Sequence, residues 1–208
     1  MLVSGIKSRP VYGTLAIRPG AKRHLFVADA EGGQAILDAA KTADAAFLDR
    51  AHIIYVPGHI HDVPGGAAPK NLGEALRALG PDMFYEGPSI AAALPRLAQT
   101  LATAHMGTQI YLAGTEGLIG QAMKLAIEAG VDHLSIQTEH RGSEERRVQC
   151  VHCKGITEHV RTQPVKCAHC GLTLLVRDHY SRRIAAFQGV CIDAEEPGVV
   201  PPTEEAFP

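Results

Sequence analysis

IYLAGTEGLIGQAMKLAIEAGVDHLSIQTE, residues 110–139, changes its hydrophobic period twice. The first five residues form a short apolar run. From Leu118 onward the apolar residues return every three or four positions, so Leu118, Ala122, Leu125 and Ala129 share one helical face. The stretch ends in a second strand-like run, HLSIQTE. Thr115 carries the short hydroxyl that caps a helix start, and Gly130 can take the left-handed conformation that stops one. Strand, helix and strand in that order are a parallel crossover unit.

Working outward, the same alternation recurs toward the N-terminus. Short apolar runs LFVAD (25–29), IIYVPG (53–58) and MFYEG (83–87) are separated by QAILDAAKTADAAF (34–47) and NLGEALRAL (71–79), with SIAAALPRLAQTLATA (89–104) before IYLAG. Near-continuous apolar strands alternating with Ala-rich helices predict a parallel sheet covered on both faces. The fold class expected is α/β. HDVPGGAAPKN (61–71) reads as a loop, so His59 and His61, at and just before its start, read as part of a solvated turn. HRGSEERR (140–147) is the natural linker. The expected organisation is an α/β domain over residues 1–140, a small ribbon over 141–192 and an acidic, Pro-rich tail over 193–208, extended and either disordered or laid along a partner.

Beyond the linker, Cys150, Cys153, Cys167 and Cys170 stand in a C-x2-C…C-x2-C pattern. Each pair places two sulfurs on one side of a tight turn, and two such knuckles facing one another complete a tetrahedron. Four thiolates satisfy Zn²⁺ and leave no open position, which makes the centre structural. ITEHVRTQPV between the pairs can form a strand and a turn at Gln163-Pro164. LTLLVRDHYS alternates at Leu172, Leu174 and Val176, and RRIAAFQGV supplies a further strand, so the expectation is a zinc ribbon. Gly155 and Gly171 suit the freedom the knuckles need. Arg147, Lys154 and Lys166 are close enough in sequence to offset the thiolate charge. Iron in a rubredoxin-type centre is the redox alternative. His152, His159 and His169 are expected to be surface or neighbouring groups, and Cys191 a small buried residue in or after the last strand.

Composition sets the outer limits. Apolar residues make up 46% of the 208 and charged residues 20%, a globular balance. With no tryptophan, the core must be built mainly from Ala, Leu, Ile and Val. The chain has no membrane-length apolar run and no secretory h-region near its start, so a cytoplasmic protein without a membrane span is expected, and its clustered cysteines favour metal over disulfides. Charge is uneven: residues 141–190 hold nine Lys/Arg against four Asp/Glu, and residues 191–208 hold five Asp/Glu and no Lys/Arg. A basic ribbon and an acidic tail suggest a docking surface, with Tyr180 and Phe187 as aromatic anchors and Arg182 beside them. The same basic excess leaves a nucleic-acid reading open, against which stands the shortage of stacking aromatics.

Parallel sheets bind ligands beyond the carboxyl ends of their strands. Those ends bring Gly32 and Gly33 on one turn and Gly114, Thr115 and Glu116 on another as candidate nucleotide-binding residues. Asp29 and Glu31 put negative charge where a phosphate would sit. From about His24 to His140 the chain resembles the pyridine-nucleotide domain of ferredoxin-reductase-type flavoenzymes. Ala113-Gly114-Thr115 stands in place of that family's Cys-Gly-Pro, and SIQTEHRG in place of its closing Glu-Arg-Phe strand, with Glu139 retained. The opening Gly-Gly-x-Gly turn is replaced by Asp29-Ala30-Glu31-Gly32-Gly33, and no flavin barrel precedes it.

Such a domain ending in TEHRGSEERRVQC, followed by CVHC…CAHCG and LLVRDHYSRRIAAFQGV, resembles the small zinc-ribbon subunit of bacterial dimethylamine monooxygenase. The resemblance implies a non-catalytic subunit carrying Zn²⁺. It implies two partners: a haem-containing subunit that oxidises dimethylamine to methylamine and formaldehyde, and a reductase subunit that carries FMN and an iron–sulfur cluster and draws electrons from NADPH. A free-standing NAD(P)H-binding electron carrier and a nucleic-acid-binding ribbon are the alternatives.

Overall fold

The computed structural model describes residues 8–58 and 71–208. The loop at 61–70 and the His59/His61 pair lie outside these residues. The chain divides into two units, Tyr12–Gly142 and Ser143–Pro208, the second joined by the stretch that ends at Val11.

The first unit runs β1 (Arg23–Asp29), α1 (Gly32–Lys41), a 3-10 turn (Ala45–Arg50), β2 (Ala51–Val56), α2 (Leu72–Ala78), β3 (Met83–Glu86), α3 (Ile90–Ala102), β4 (Thr108–Gly114), α4 (Glu116–Glu128) and β5 (Ile136–His140). All five strands pair in parallel, in the order β3-β2-β1-β4-β5. The chain winds outward from β1 to β3 and then returns to start β4 on the other side of β1. The strand order therefore reverses between β1 and β4, the place where such sheets form a crevice.

Alternation along each strand sends side chains to opposite faces. Phe26, Ala28, Ile53, Tyr55, Tyr111 and Ala113 pack with α1 and α2, while Leu25, Val27, Ile54, Val56, Ile110 and Leu112 pack with α3 and α4. Both sets are buried, which is why the strands read as unbroken apolar runs. Three of the four helix starts carry side-chain caps, Thr115 among them as its sequence suggests, while α1 begins after Glu31 without one. Asn71 accepts from the Glu74 amide, Ser89 from Ala92 and Thr115 from Leu118. Gly130 takes φ +84 just beyond α4. One helix is shorter than its sequence pattern: QAILDAAKTADAAF does not run through. It stops at Lys41, and the Asp44 carboxylate accepts from the Ala46 amide to start the 3-10 turn. Asp favours such caps over helix interiors.

The second unit contains β6 (Arg146–Cys150), β7 (Ile156–Val160), β8 (Thr162–Gln163), β9 (Val165–Lys166), β10 (Thr173–Ser181), β11 (Ala186–Cys191) and β12 (Glu204–Glu205). Its main sheet has the order β7-β6-β11-β10-β9. Ser8 belongs here. Its amide donates to Asp178 O, and its hydroxyl accepts from the Tyr180 amide at 2.8 Å and donates to Tyr180 O. Ser8 thereby satisfies the backbone where the β10–β11 register shifts between Arg177 and Tyr180.

The tail is extended, as its composition suggests, but its end is ordered against this chain's own ribbon. Its last residues return to the ribbon, where β12 pairs antiparallel with β8. Phe207 is buried with Val148, Val160, Tyr180 and Phe187. One aromatic residue at the end of an acidic stretch supplies enough apolar surface to anchor it.

Candidate metal centre

Two knuckles bring the four cysteines together. In the first, the Lys154 amide donates to Cys150 O and the Cys150 amide to Gly155 O; in the second, Gly171 donates to Cys167 O and Cys167 to Leu172 O. The left-handed position is filled by Gly171 (φ +76) in the second knuckle but by Lys154 (φ +64) in the first. Gly155 is needed for a different reason. A Cβ there would lie 2.4 Å from the His169 ring, which sits across from the first knuckle and bonds Ile156 O through Nε2 at 2.8 Å. Lys154 folds back so that Nζ meets Val151 O. Arg147, expected to offset thiolate charge, is instead held by the Glu158 carboxylate and by the carbonyls of Ile184 and Ala185.

The four sulfurs lie within 4.8 Å of one another. Cys150 and Cys170 Sγ are 3.8 Å apart, and Cys153 and Cys167 Sγ 3.6 Å. A tetrahedron with metal–sulfur bonds of about 2.3 Å has sulfur–sulfur edges of about 3.8 Å. The donor set and its spacing therefore fit a tetrahedral metal ion. Burial raises the Cys167 thiol, but the backbone amides of Cys170 and His169 and the neighbouring thiols outweigh it and bring its pKa to about 6, while the same thiol contacts push Cys170 up to about 12, so the four sulfurs share their protons unevenly. Such amide-to-sulfur bonds favour the thiolate, the form that binds metal. Among the described residues this is the one group of three or more His, Cys, Asp or Glu side chains placed to hold an ion. The three nearby histidines are not members. His159 faces Glu145 at 2.6 Å, and Cys191, at the end of β11, is half-buried and donates to Asp193.

At the crevice between β1 and β4 a carboxylate bridges the two strand ends. The Asp29 carboxylate ends β1 and turns toward the start of α4. It accepts from the Thr115 amide at 2.8 Å and from the Thr115 hydroxyl at 2.6 Å. Gly114 takes φ +124, and a Cβ there would fall 1.8 Å from Asp29 Oδ1. Gly32 is pressed against the end of β4, where a Cβ would meet Ala113 O at 2.2 Å, and Gly33 packs beside Tyr55. Glu116 is buried and accepts from the Tyr12 hydroxyl. The five candidate nucleotide residues are thus brought together at the carboxyl ends of β1 and β4, but the fold already uses each of them. The Ala30 carbonyl accepts from the Tyr55 hydroxyl, whose pKa is pushed up to about 12 by burial and the nearby Asp29 and Glu86 carboxylates.

Family comparison agrees with this two-part layout. Residues 4–136 match the family described as dimethylamine monooxygenase subunit DmmA-like, N-terminal domain, and residues 147–190 match the C-terminal domain of the same description. The chain belongs to the DmmA-like subunit family. A curated relative, the heme-dependent oxidative N-demethylase delta subunit of Ectopseudomonas mendocina (strain ymp), is 36% identical over 118 residues. That match covers 55% of this chain and 66% of the relative's length. Among solved structures, the cytochrome P450 reductase GcoB of Amycolatopsis is 13% identical at a TM-score of 0.43, covering 60% of this chain and 40% of that one. The siderophore-interacting protein SipS from Aeromonas hydrophila is 16% identical at 0.38, covering 61% and 54%.

In this DmmA-like chain the three docking candidates separate. Tyr180 and Phe187 are buried and pack edge to face with centroids 5.0 Å apart, so they belong to the ribbon's interior; only Arg182 is exposed. Sequence reasoning missed the residue that holds this interior together. The Arg146 guanidinium lies 4.1 Å from the ring centroids of both Phe187 and Phe207 and pairs with Asp178 at 2.7 Å. Nothing in the local pattern distinguished Arg146 from the rest of the charged linker. The sandwich forms only because the tail folds back to bring in Phe207.

Proposed function

We propose that this chain is a non-catalytic docking subunit of a multicomponent haem-dependent dimethylamine monooxygenase. The partners in this reading are a haem-containing subunit, which uses O₂ to demethylate dimethylamine to methylamine and formaldehyde, and an FMN- and iron–sulfur-containing reductase subunit fed by NADPH. Membership of the DmmA-like family points to such a complex. The observation that gives this chain its role within it is the Asp29 carboxylate bonded twice to Thr115. It stands where a dinucleotide phosphate would meet the helix start, and like charge opposes that anion.

The ribbon supports the same reading. Cys150, Cys153, Cys167 and Cys170 are assigned to Zn²⁺, which four thiolates close off from substrate, so the ion would cross-link two knuckles and supply folding energy. Two experiments test the function. Reconstitution of the oxygenase with and without this chain should change assembly and coupled turnover, while haem, FMN and iron–sulfur remain on the other subunits. Calorimetry of the isolated chain with NADPH should give no tight binding. A micromolar affinity, or iron with a thiolate charge-transfer band in the ribbon, would turn the assignment to an electron carrier.

A further inference from the structure

The tail is attached as an arm with one buried side chain. Residues 194–205 are all exposed, and then Ala206 is half-buried and Phe207 only 7% exposed. Its seat is made of general peptide-binding parts. Glu204 and Glu205 extend the β8 edge opposite Gln163 and Thr162. The amides of Ala206 and Phe207 both donate to Arg161 O at 2.9 Å. Pro208 O accepts from the Ser143 hydroxyl and the Glu144 amide. The Phe207 ring completes the stack on Arg146, itself 4% exposed. Main-chain pairing along a sheet edge with one pocketed side chain is how sheets bind extended peptides.

We propose that this groove is a peptide-docking site, held in cis by the chain's own tail, that receives from a partner subunit an extended segment of the form Glu-Glu-small-aromatic. The tail itself shows the chemistry that fits: Arg161 sits 3.9 Å from Glu205 at the edge of the groove, so an acidic residue is favoured there. A second copy's tail would offer the same contacts that the chain's own tail already makes at a higher effective concentration. A partner segment with additional contacts can displace it. The inference rests on the docking reading above, but peptide exchange is measured on the isolated chain without any partner, so the two fail separately.

The chain has no tryptophan, so Phe207→Trp in the full chain gives one fluorescent reporter of the seat. Its emission should be blue at rest, move red on adding millimolar Thr-Glu-Glu-Ala-Phe-Pro, return on dilution, and ignore the same peptide with Ala in place of Phe. In parallel, that peptide carrying 4-fluorophenylalanine should show a shifted ¹⁹F resonance with the wild-type chain, a readout that needs no variant to fold. An unmoved signal in both measurements makes the tail a fixed part of the ribbon and overturns the proposal. Emission that follows protein concentration alone, with a doubled mass by light scattering, gives the groove to a second copy and overturns the partner assignment.

Discussion

At the residue scale, single side chains decide local outcomes through contacts that sequence spacing does not show. His24 is buried, and its Nδ1 is 3.0 Å from the Tyr111 hydroxyl, whose oxygen accepts from the Arg18 amide. A neutral His24 ring can share one hydrogen bond with that hydroxyl, in a direction set by its tautomer. Burial first, and then Arg50, lower its pKa below the usual histidine value. The unfolded chain then binds the proton more readily, so this contribution is complete above about pH 6.5 and is lost as pH falls below it. Urea midpoints should decline from pH 7 to 5 in the wild type, and His24→Leu should flatten that decline; an unchanged slope would remove His24 as its source. Gly155 offers a second test. An added methyl against the His169 ring should cost about 1–3 kcal/mol and speed metal loss to a competing chelator, and Gly155→Ala/His169→Ala should restore retention. Both effects were hidden in the sequence, which suggested a flexible glycine where the structure needs a small one and gives the left-handed turn to Lys154.

At the scale of elements, the sequence was most legible where one period persisted. β1 to β5 and their helices follow directly from apolar runs and caps, because a strand buried on both faces and a capped amphipathic helix leave little choice. The 34–47 pattern misled because periodicity alone does not register Asp44 as a cap. The even-numbered face of β10 was visible at Leu174 and Val176, and Tyr180 continues it because the two-residue register shift preserves parity. Reading that parity further along would have placed Tyr180 inside. The tail was not legible at all, since one aromatic residue among acidic and proline residues gives no period. The ribbon's strands depend on the knuckles, so Cys167→Ala should abolish metal binding and melt the strands, because a small two-knuckle unit has little core of its own. Circular dichroism with elemental analysis checks this, and a folded, metal-free ribbon would refute it. Phe207→Ala should cost about 3 kcal/mol, read as a lower unfolding midpoint with the four-cysteine site still able to bind metal.

At the scale of the whole molecule, the burial of Tyr180 and Phe187 separates two effects that a docking assay alone would confuse. Tyr180→Ala removes a core ring and should weaken assembly only indirectly, with a lowered melting temperature and earlier metal loss. Arg182 is exposed beside Arg183 in the turn between β10 and β11, and charges in such positions steer encounter more than they hold a complex together. Arg182→Glu with Arg183→Glu should therefore leave the melting temperature and metal content unchanged. It should slow association with an acidic partner subunit several-fold at low ionic strength, and the difference should fade as salt shortens the Debye length toward about 8 Å. Stopped-flow association across a salt series, beside a melting curve for each variant, distinguishes the two. If the double Glu variant associates at the wild-type rate in low salt, the basic turn takes no part in docking, and the groove under the tail is left as the ribbon's remaining candidate contact.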